Sequence, residues 1–350
     1  MREDKVGVIL VNYKDYAKRF LQECRESLLD QSYRNYQVYI IDNASSEESF
    51  NYLKKSYPEA KIFSRNDGNY SAANNLGSKE SIADNCKYLF ICNMDTVLDK
   101  DCILELVRKK ESIKEEVILQ AKIYLHENGN KTDKLNTLGN DFNFLGFGLV
   151  RSYGKKEHEL KGSSKDFTYV SGCALLISSI LFKKINGYNE MFYMYHDDIE
   201  LSLKARLSGY RACLANKAHV YHKYEMSRSL NMLYFMERNR FLTILLFYKI
   251  RTILLILPIL IVIEIGLIIY SIANDWFNVK LKAIKYFLSF RNIVIISKER
   301  KKVQKLRKVS EKEFVSSFVG SLSFENKPSF LTKAISPILS IYWKIIKLLI

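Results

Sequence analysis

Residues 6–45 read VGVILVNYKDYAKRFLQECRESLLDQSYRNYQVYIIDNAS. Val6–Val11 is apolar throughout and rich in β-branched residues, the pattern of a strand buried on both faces of a parallel sheet. Asp15 to Leu29 then has helical spacing, and Val38–Ile41 is a second apolar strand that stops at Asp42. The alternation continues outward from this unit. Glu47–Ser56 reads as a helix, Lys61–Ser64 as a short strand, Ala72–Ile82 as a helix, and Tyr88–Cys92 as a strand ending at Asn93-Met94-Asp95. Asp99–Lys110 is a further helix and Val117–Ile123 a further strand. Strand and helix in regular turn predict an α/β fold wound around a mostly parallel sheet.

Residues 125–167 are polar, with Gly139, Gly146, Gly148 and Gly154, and read as loops near a site. Structure resumes with a strand at Tyr169–Ile177, a helix near 178–185, a turn at Asn186-Gly187 and a helix from Asp197 to Ser208. Short strands follow near Arg211–Leu214 and His219–Tyr221. Residues 231–249 read as a helix, and Thr252–Ala273 gives 22 residues with one charge, Glu264. That length fits a bilayer. Pro258 and Glu264 oppose a simple span, because an acid at membrane depth costs about 2.5–3.5 kcal/mol. Lys249 and Arg251 before it, and Lys280, Lys282 and Lys285 after it, oppose export of either flank. A re-entrant hairpin, helices lying in the interface and a buried core helix all stay open. Trp276, Phe277, Tyr286 and Phe287 suit an interfacial belt.

The net charge of +16 is uneven: residues 231–350 hold 20 Lys/Arg against 7 Asp/Glu. Basic charge beside apolar sequence favours an anionic membrane surface over nucleic acid; a solvated basic face is the plainer alternative. The six cysteines form no C-x-x-C pair and sit in apolar runs, as reduced core residues do. Met1 to Lys5 is polar and Val6–Val11 is too short for the apolar core of a signal peptide. The expected location is the cytoplasmic face of a membrane.

Ligands of such sheets bind beyond the carboxyl ends of the strands, where Asp42 and Asp95 lie. No G-x-G-x-x-G follows the first strand and no P-loop is present, which counts against a dinucleotide-binding enzyme. Asp95 at a strand end suits a Mg²⁺ or Mn²⁺ ion shared with diphosphate oxygens. Asp42 suits a base or ribose, or else caps the next helix. Asn66-Asp67-Gly68-Asn69 and Ala72-Ala73-Asn74-Asn75 are amide-rich and small, which lets backbone approach a ligand or simply makes an Asx turn. Asp197, Asp198 and Glu200 fall within four positions. Such crowding raises carboxyl pKa values and suits a general base, though an acidic first turn also favours a helix by itself. His222 alone is more often structural than a ligand.

The ordered set resembles family 2 glycosyltransferases, in particular a rhamnosyltransferase-like branch that builds bacterial surface polysaccharides. The matching pieces are VILVNY (8–13), IIDNAS (40–45), RNDGNYSAANNLG (65–77), ICNMDT (91–96), YVSGCALLI (169–177), NGYNEMFYMYHDDIELSLKARLSGY (186–210), AHVYHK (218–223) and ERNR (237–240). The resemblance implies a GT-A type αβα sandwich over residues 1–230. Its nucleotide half would be about 1–125 and its acceptor half about 126–230, with a basic, membrane-associated helical region at 231–350. It implies a nucleotide-sugar site of Asn12, Asp42, Asn43, Asn66, Gly68, Asn74, Asn93 and Asp95, with Gly172 and Cys173 on the acceptor side. Asp95 and His222 would hold Mn²⁺ or Mg²⁺, Asp198 would be the base, and Asp197 and Glu200 would assist.

Implied too is inverting transfer of one sugar, from dTDP-rhamnose or a UDP-sugar, to a lipid-linked or other oligosaccharide. A soluble acceptor is the runner-up, and a catalytically inactive scaffold is the alternative outside enzymes. Two departures bear on this. Gly68-Asn69-Tyr70 stands where relatives often have an aromatic straight after glycine. The Gln-x-x-Arg-Trp motif of processive synthases is missing, Trp276 and Trp343 being the only tryptophans.

Overall fold

The computed structural model describes residues 3–160, 167–224, 229–322 and 330–350. The alternation opens with β1 (Val6–Tyr13), α1 (Tyr16–Leu29), β2 (Tyr36–Asn43), α2 (Glu47–Ser56), β3 (Lys61–Arg65), α3 (Tyr70–Ala83) and β4 (Tyr88–Cys92). It continues with β5 (Thr96–Leu98), α4 (Cys102–Glu111), β6 (Val117–Glu127), β7 (Asn130–Thr137), β8 (Asn140–Phe142), β9 (Gly148–Val150), β10 (Ala174–Ser178), α5 (Ser179–Lys184), α6 (Asp197–Leu207) and β11 (Arg211–His222). The main sheet runs β3-β2-β1-β4-β10-β6-β11-β5, with β7 hairpinned onto β6. Six of these strands point one way, while β5, β7 and β10 run against them. The sheet is therefore mostly parallel, as expected.

Period-two alternation sorts the two faces. Val8 and Leu10 pack with Ala17, Leu21 and Cys24 of α1, Leu53 of α2 and Ile103 and Leu106 of α4. Ile9 packs on the other face with Leu181 of α5 and Leu201 of α6, and Val11 with Ala73 of α3. These are the three layers of an αβα sandwich. All six cysteines are free and five are buried.

Three expectations need correction. Residues 125–167 are not loops throughout: β6 reaches Glu127, β7 returns along it, and β8 pairs β9; residues 161–166 lie outside the described residues. The strand expected at Tyr169–Ile177 starts only at Ala174. Before it, side chains take the amides a ladder would use. Val170 N–H donates to Ser202 Oγ (3.2 Å), Ser171 N–H to Gln120 Oε1 (2.7 Å) and Gly172 N–H to Asp198 Oδ2 (3.1 Å). The two short strands near 211–214 and 219–221 are one strand with a register shift between Ala215 and His219.

The chain ends in α7 (Leu230–Phe247), α8 (Ile250–Ala273), α9 (Phe277–Leu288), α10 (Phe290–Lys305), α11 (Glu311–Phe314) and α12 (Phe330–Leu349). Leu246, Ile256, Phe314 and Trp343 from these helices share one apolar cluster with Phe142, Phe144, Leu203 and Leu207. Trp343 stacks on Phe144 at 4.8 Å between centroids, and Asn143 Nδ2 donates to Gly320 O (3.1 Å) and Ser321 O (2.9 Å).

Among the described residues α8 alone is long and apolar enough, by length and composition, to cross a membrane. It is no core helix, since only 17% of its most apolar window is buried. Thr252, Ile256 and Leu260 are buried at four-residue spacing, and Glu264 continues that stripe. Glu264 Oε2 takes Lys280 of α9 at 2.6 Å and its other oxygen pairs with Arg240 of α7. The acid that seemed to oppose membrane contact thus faces protein cations, while Leu254, Ile261, Ile265 and Ile269 face outward at 50–62% exposure.

Candidate active site

At the carboxyl end of β1 the fully buried Asn12 has both side-chain atoms engaged. Its Oδ1 accepts Ala17 N–H at 2.7 Å, in the first turn of α1, where Asp15 makes no side-chain cap. Its Nδ2 donates to Asp42 Oδ1 at 2.6 Å, and Ser45 Oγ donates to Asp42 Oδ2 at 2.5 Å. Ser46 caps α2, so the capping alternative for Asp42 falls. Its carboxylate is oriented at the strand ends with acceptor capacity left over. Asn43 holds the next loop: its Oδ1 accepts Gly68 N–H at 3.0 Å and its Nδ2 donates to Asn69 O at 3.1 Å. Asn66 is exposed on that loop. Asn74 is buried inside α3, its Nδ2 donating to Tyr70 O at 3.1 Å.

The loop after β4 sits beside this end. Asn93 Oδ1 accepts the Tyr70 hydroxyl at 2.9 Å, and Asn93 N–H donates to Cys173 O at 2.9 Å. Burial, with the Asp197 charge beside it, pushes the Tyr70 phenol well above its ordinary range, so it stays a donor. Asp95 is 5% exposed and its Oδ2 accepts the Tyr16 hydroxyl at 2.5 Å. His222 lies opposite, with Nε2 3.3 Å from Asp95 Oδ1. That contact is close but not aligned as a hydrogen bond, and Asp95 Oδ1 is left without one. Burial pushes the Asp95 carboxyl up, but the His222 ring and the Tyr16 hydroxyl outweigh it and hold it below the usual range. Asn136 Oδ1 lies 3.2 Å from His222 Nδ1. An amide oxygen only accepts, so Nδ1–H donates to Asn136 and the ring turns its Nε2 toward Asp95.

A buried carboxylate oxygen without a hydrogen-bond donor, beside an imidazole nitrogen whose ring is oriented from behind by Asn136, is a donor set that fits a divalent cation. No group of three or more His, Cys, Asp or Glu converges among the described residues. Remaining ligands would have to come from water or a bound diphosphate.

The acids at the head of α6 lie on the other side of Cys173. Gly172 and Cys173 link them to the Asn93 loop, because Gly172 N–H donates to Asp198 Oδ2 while Cys173 O accepts from Asn93. Asp198 Oδ1 also accepts Ile199 N–H at 2.8 Å. A Cβ added at Gly172 would lie 3.4 Å from Asp198 Cβ, so the glycine keeps that flank of the acid open. Burial raises Asp198; burial and the neighbouring Asp198 charge push Asp197 to about 8. Two backbone donors favour the anion on Asp198, so in the pair Asp197 keeps the proton near neutrality. Glu200 points elsewhere. It is fully buried, pairs with Lys204 Nζ at 3.0 Å and accepts Asn189 N–H at 3.1 Å.

Sequence reasoning missed Tyr16, Tyr70 and Asn136, which orient Asp95, Asn93 and His222. Tyr70 stood inside a quoted motif, but nothing in the spacing marks Tyr16. Asn136 lies in a stretch that reads as loop.

Residues 7–183 match the family described as Glycosyl transferase family 2, and the chain belongs to that family. It is 27% identical over 204 residues to the low-salt glycan biosynthesis hexosyltransferase Agl10 of Haloferax volcanii, covering 58% of this chain and 62% of that one. The chain thus spans less than two thirds of that relative's length. A crystal structure of GalNAc-T7 with UDP, GalNAc and Mn²⁺ superposes with a TM-score of 0.51 at 17% identity, over 67% of this chain and 47% of that one. The likeness is one of fold.

Proposed function

We propose that this protein is an inverting, metal-dependent glycosyltransferase that moves one hexose or deoxyhexose from a UDP or dTDP donor to a glycan acceptor. The observation that carries the proposal is the joining of two half-sites through residues 172–173. One is the orphaned Asp95 Oδ1 facing His222 Nε2; the other is the Asp197–Asp198 pair. The hexosyltransferase name of the Haloferax relative and the UDP and Mn²⁺ of the GalNAc-T7 complex favour the same assignment.

Asp42 and Asn43 orient the nucleoside end, and Gly68 lets backbone close on it. Asp95 and His222 would hold the divalent cation, which when bound offsets charge growing on the diphosphate leaving group. Asp198 takes the proton of the acceptor hydroxyl. That oxygen attacks the anomeric carbon from the face opposite the diphosphate, the carbon–oxygen bond to phosphate breaks, and the nucleoside diphosphate departs. One displacement inverts the anomeric centre. Glu200 supports the site indirectly, by fixing the 187–190 turn through Lys204 and Asn189.

The outward face of α8 and the exposed Lys249, Arg251, Lys282 and Lys285 favour an acceptor held at an anionic membrane surface. We place α8 in the plane of that surface, because its Thr252–Glu264 stripe packs along the protein's own helices. Both basic flanks then stay on one side, as the charge distribution asks.

A thermal-shift panel of nucleotide sugars, each with and without Mn²⁺, tests the assignment. A bound donor should raise the melting temperature only when Mn²⁺ is present. Absence of a shift with every UDP and dTDP sugar, with and without metal, would sink it.

A further inference from the structure

The motif at 237–240 has no part in the chemistry above, yet all four of its residues are buried. Two of them grip the loop that leads into the acids. Asn239 Nδ2 donates to Phe192 O (2.8 Å), Met194 O (2.9 Å) and Tyr195 O (2.7 Å). Arg238 Nη2 donates to Met191 O (2.8 Å) and Phe192 O (2.9 Å), and also to Asn239 Oδ1 (2.8 Å). A guanidinium only donates, so the last contact fixes which way the Asn239 amide faces.

The gripped loop is strained. Tyr193 has φ 65° and ψ −67°, and Met194 N–H donates back to Phe192 O at 2.8 Å. That is the rare γ-turn. Tyr195 and His196 follow with φ 60° and 59°, in the left-handed region that disfavours side chains. Three such residues among the four before Asp197 hold only where the surroundings over-determine them. The same loop also reaches the donor side, since Ser71 N–H donates to Tyr193 O (3.1 Å) and the Tyr193 hydroxyl to Asp67 O (2.7 Å).

The clamp is anchored on α8. Arg240 pairs with Glu264 and donates to Leu145 O at 3.2 Å. Gly146, next in that turn, has its carbonyl 3.2 Å from His196 Nε2. Its φ is +90°, and a Cβ there would come within 2.6 Å of Arg240 Cγ. Glu237 and Lys280 complete the buried ion group. A chain of direct contacts therefore runs from the outward-facing apolar helix, through Arg240 and the Leu145-Gly146 turn, to the residue before Asp197.

We infer that Arg238 and Asn239 are positioning residues for the transfer step. They hold the strained Tyr193–His196 loop so that Asp197 and Asp198 meet the acceptor, and Arg240 with Glu264 ties this loop to α8. The inference rests on the glycosyltransferase reading for its kinetic consequence but not for the clamp itself.

Two readouts on the full chain separate them. Amide hydrogen exchange over residues 193–199 and steady-state transfer would be measured for Asn239→Ala, Arg238→Lys and Glu264→Gln. Asn239→Ala should speed exchange in that segment and lower kcat roughly 10–100-fold, with a smaller change in donor KM through the Tyr193 contacts to Ser71 and Asp67, because misplacement of about 1 Å is that damaging. Arg238→Lys, which keeps charge but loses the fork, should give a milder change of the same kind, and decides the matter if Asn239→Ala does not fold. Glu264→Gln should speed exchange at 193–199 although it lies on another helix. Unchanged exchange in that segment for the first two variants overturns the clamp, and for Glu264→Gln it overturns the tie to α8. If the wild type transfers no sugar from any donor, the glycosyltransferase reading fails while the exchange data still decide the clamp.

Discussion

Asp95 is buried and Asp198 half-buried, and their surroundings shift the two carboxyls in opposite directions. Asp95 is held below the usual carboxylate range beside His222 and Tyr16, whereas Asp198 is raised and shares its site with a protonated neighbour. Asp95→Asn is therefore expected to erase the Mn²⁺-dependent part of the donor thermal shift. Asp198→Asn should leave that shift intact and lower kcat by about 10²–10⁴-fold, the range for a positioned base. Near-normal turnover in Asp198→Asn would move the base to Asp197. Asp197 itself makes a prediction about stability. Its folded pKa, about 8, lies above the ordinary 3.8, so between those values the folded state holds a proton that the unfolded state has lost. Its contribution is full below about pH 4 and is lost as pH rises toward 8. The limiting slope is roughly 1.4 kcal/mol per pH unit. In Asp197→Asn this slope should disappear, and denaturant titrations at pH 5 and pH 7.5 would show it. An equal pH dependence in wild type and variant would mean that Asp197 is ionised in the folded protein.

The elements that set these carboxylates differ in how plainly the sequence declares them. β1, β2 and β4 are buried on both faces, so they appear as unbroken apolar runs whose ends place Asn12, Asp42 and Asp95 correctly. β7 could not be read the same way. Its ladder partner is β6, with one further bridge from Lys134 to Lys156, and its first half is polar and largely exposed. Its sequence, NKTDKLNT, therefore looks like a loop, and Asn136 behind His222 went unseen with it. The segment 169–173 failed in the opposite sense. Its apolar residues promise a strand, but contacts from Gln120, Asp198 and Ser202, distant in sequence, take its amides. That Asp42, Asp95, Asp198 and His222 lie at or beside the ends of regular elements was legible in the sequence; Glu200 was grouped with Asp197 and Asp198 by spacing alone and turns toward Lys204 instead. Gly68 is the residue where local backbone and site meet most tightly. With φ +70° and Tyr193 in the way, Gly68→Ala should cost about 1–2 kcal/mol in stability and weaken donor binding. Urea melts with and without donor would test this, and unchanged donor affinity would remove the 67–69 loop from the nucleotide site.

At the scale of the whole molecule, the helices after residue 230 serve two surfaces at once. Inward, they complete the apolar cluster around Phe142, Phe144, Leu203 and Leu207, so cutting the chain near residue 250 would strip the core beside α6. Outward, α8 exposes Leu254 at 62%, Ile261 at 50% and Ile265 at 54%, within a third of the chain that holds 13 of the 16 net positive charges. Membrane contact should therefore be probed on that face and not by truncation. A Leu254→Gln/Ile261→Gln/Ile265→Gln variant touches no buried position, and its melting temperature should stay close to that of the wild type. Each half-exposed side chain has about 1 kcal/mol of apolar burial still to gain in a lipid interface. Three of them together should weaken sedimentation with vesicles containing anionic lipid by roughly a hundredfold. Raised salt should weaken the binding of both proteins further, through screening of the basic flanks. Vesicle binding unchanged in the triple variant would remove α8 from the membrane. The chain of contacts from Glu264 to His196 would then link the acid pair to a surface turned toward solvent or another protein.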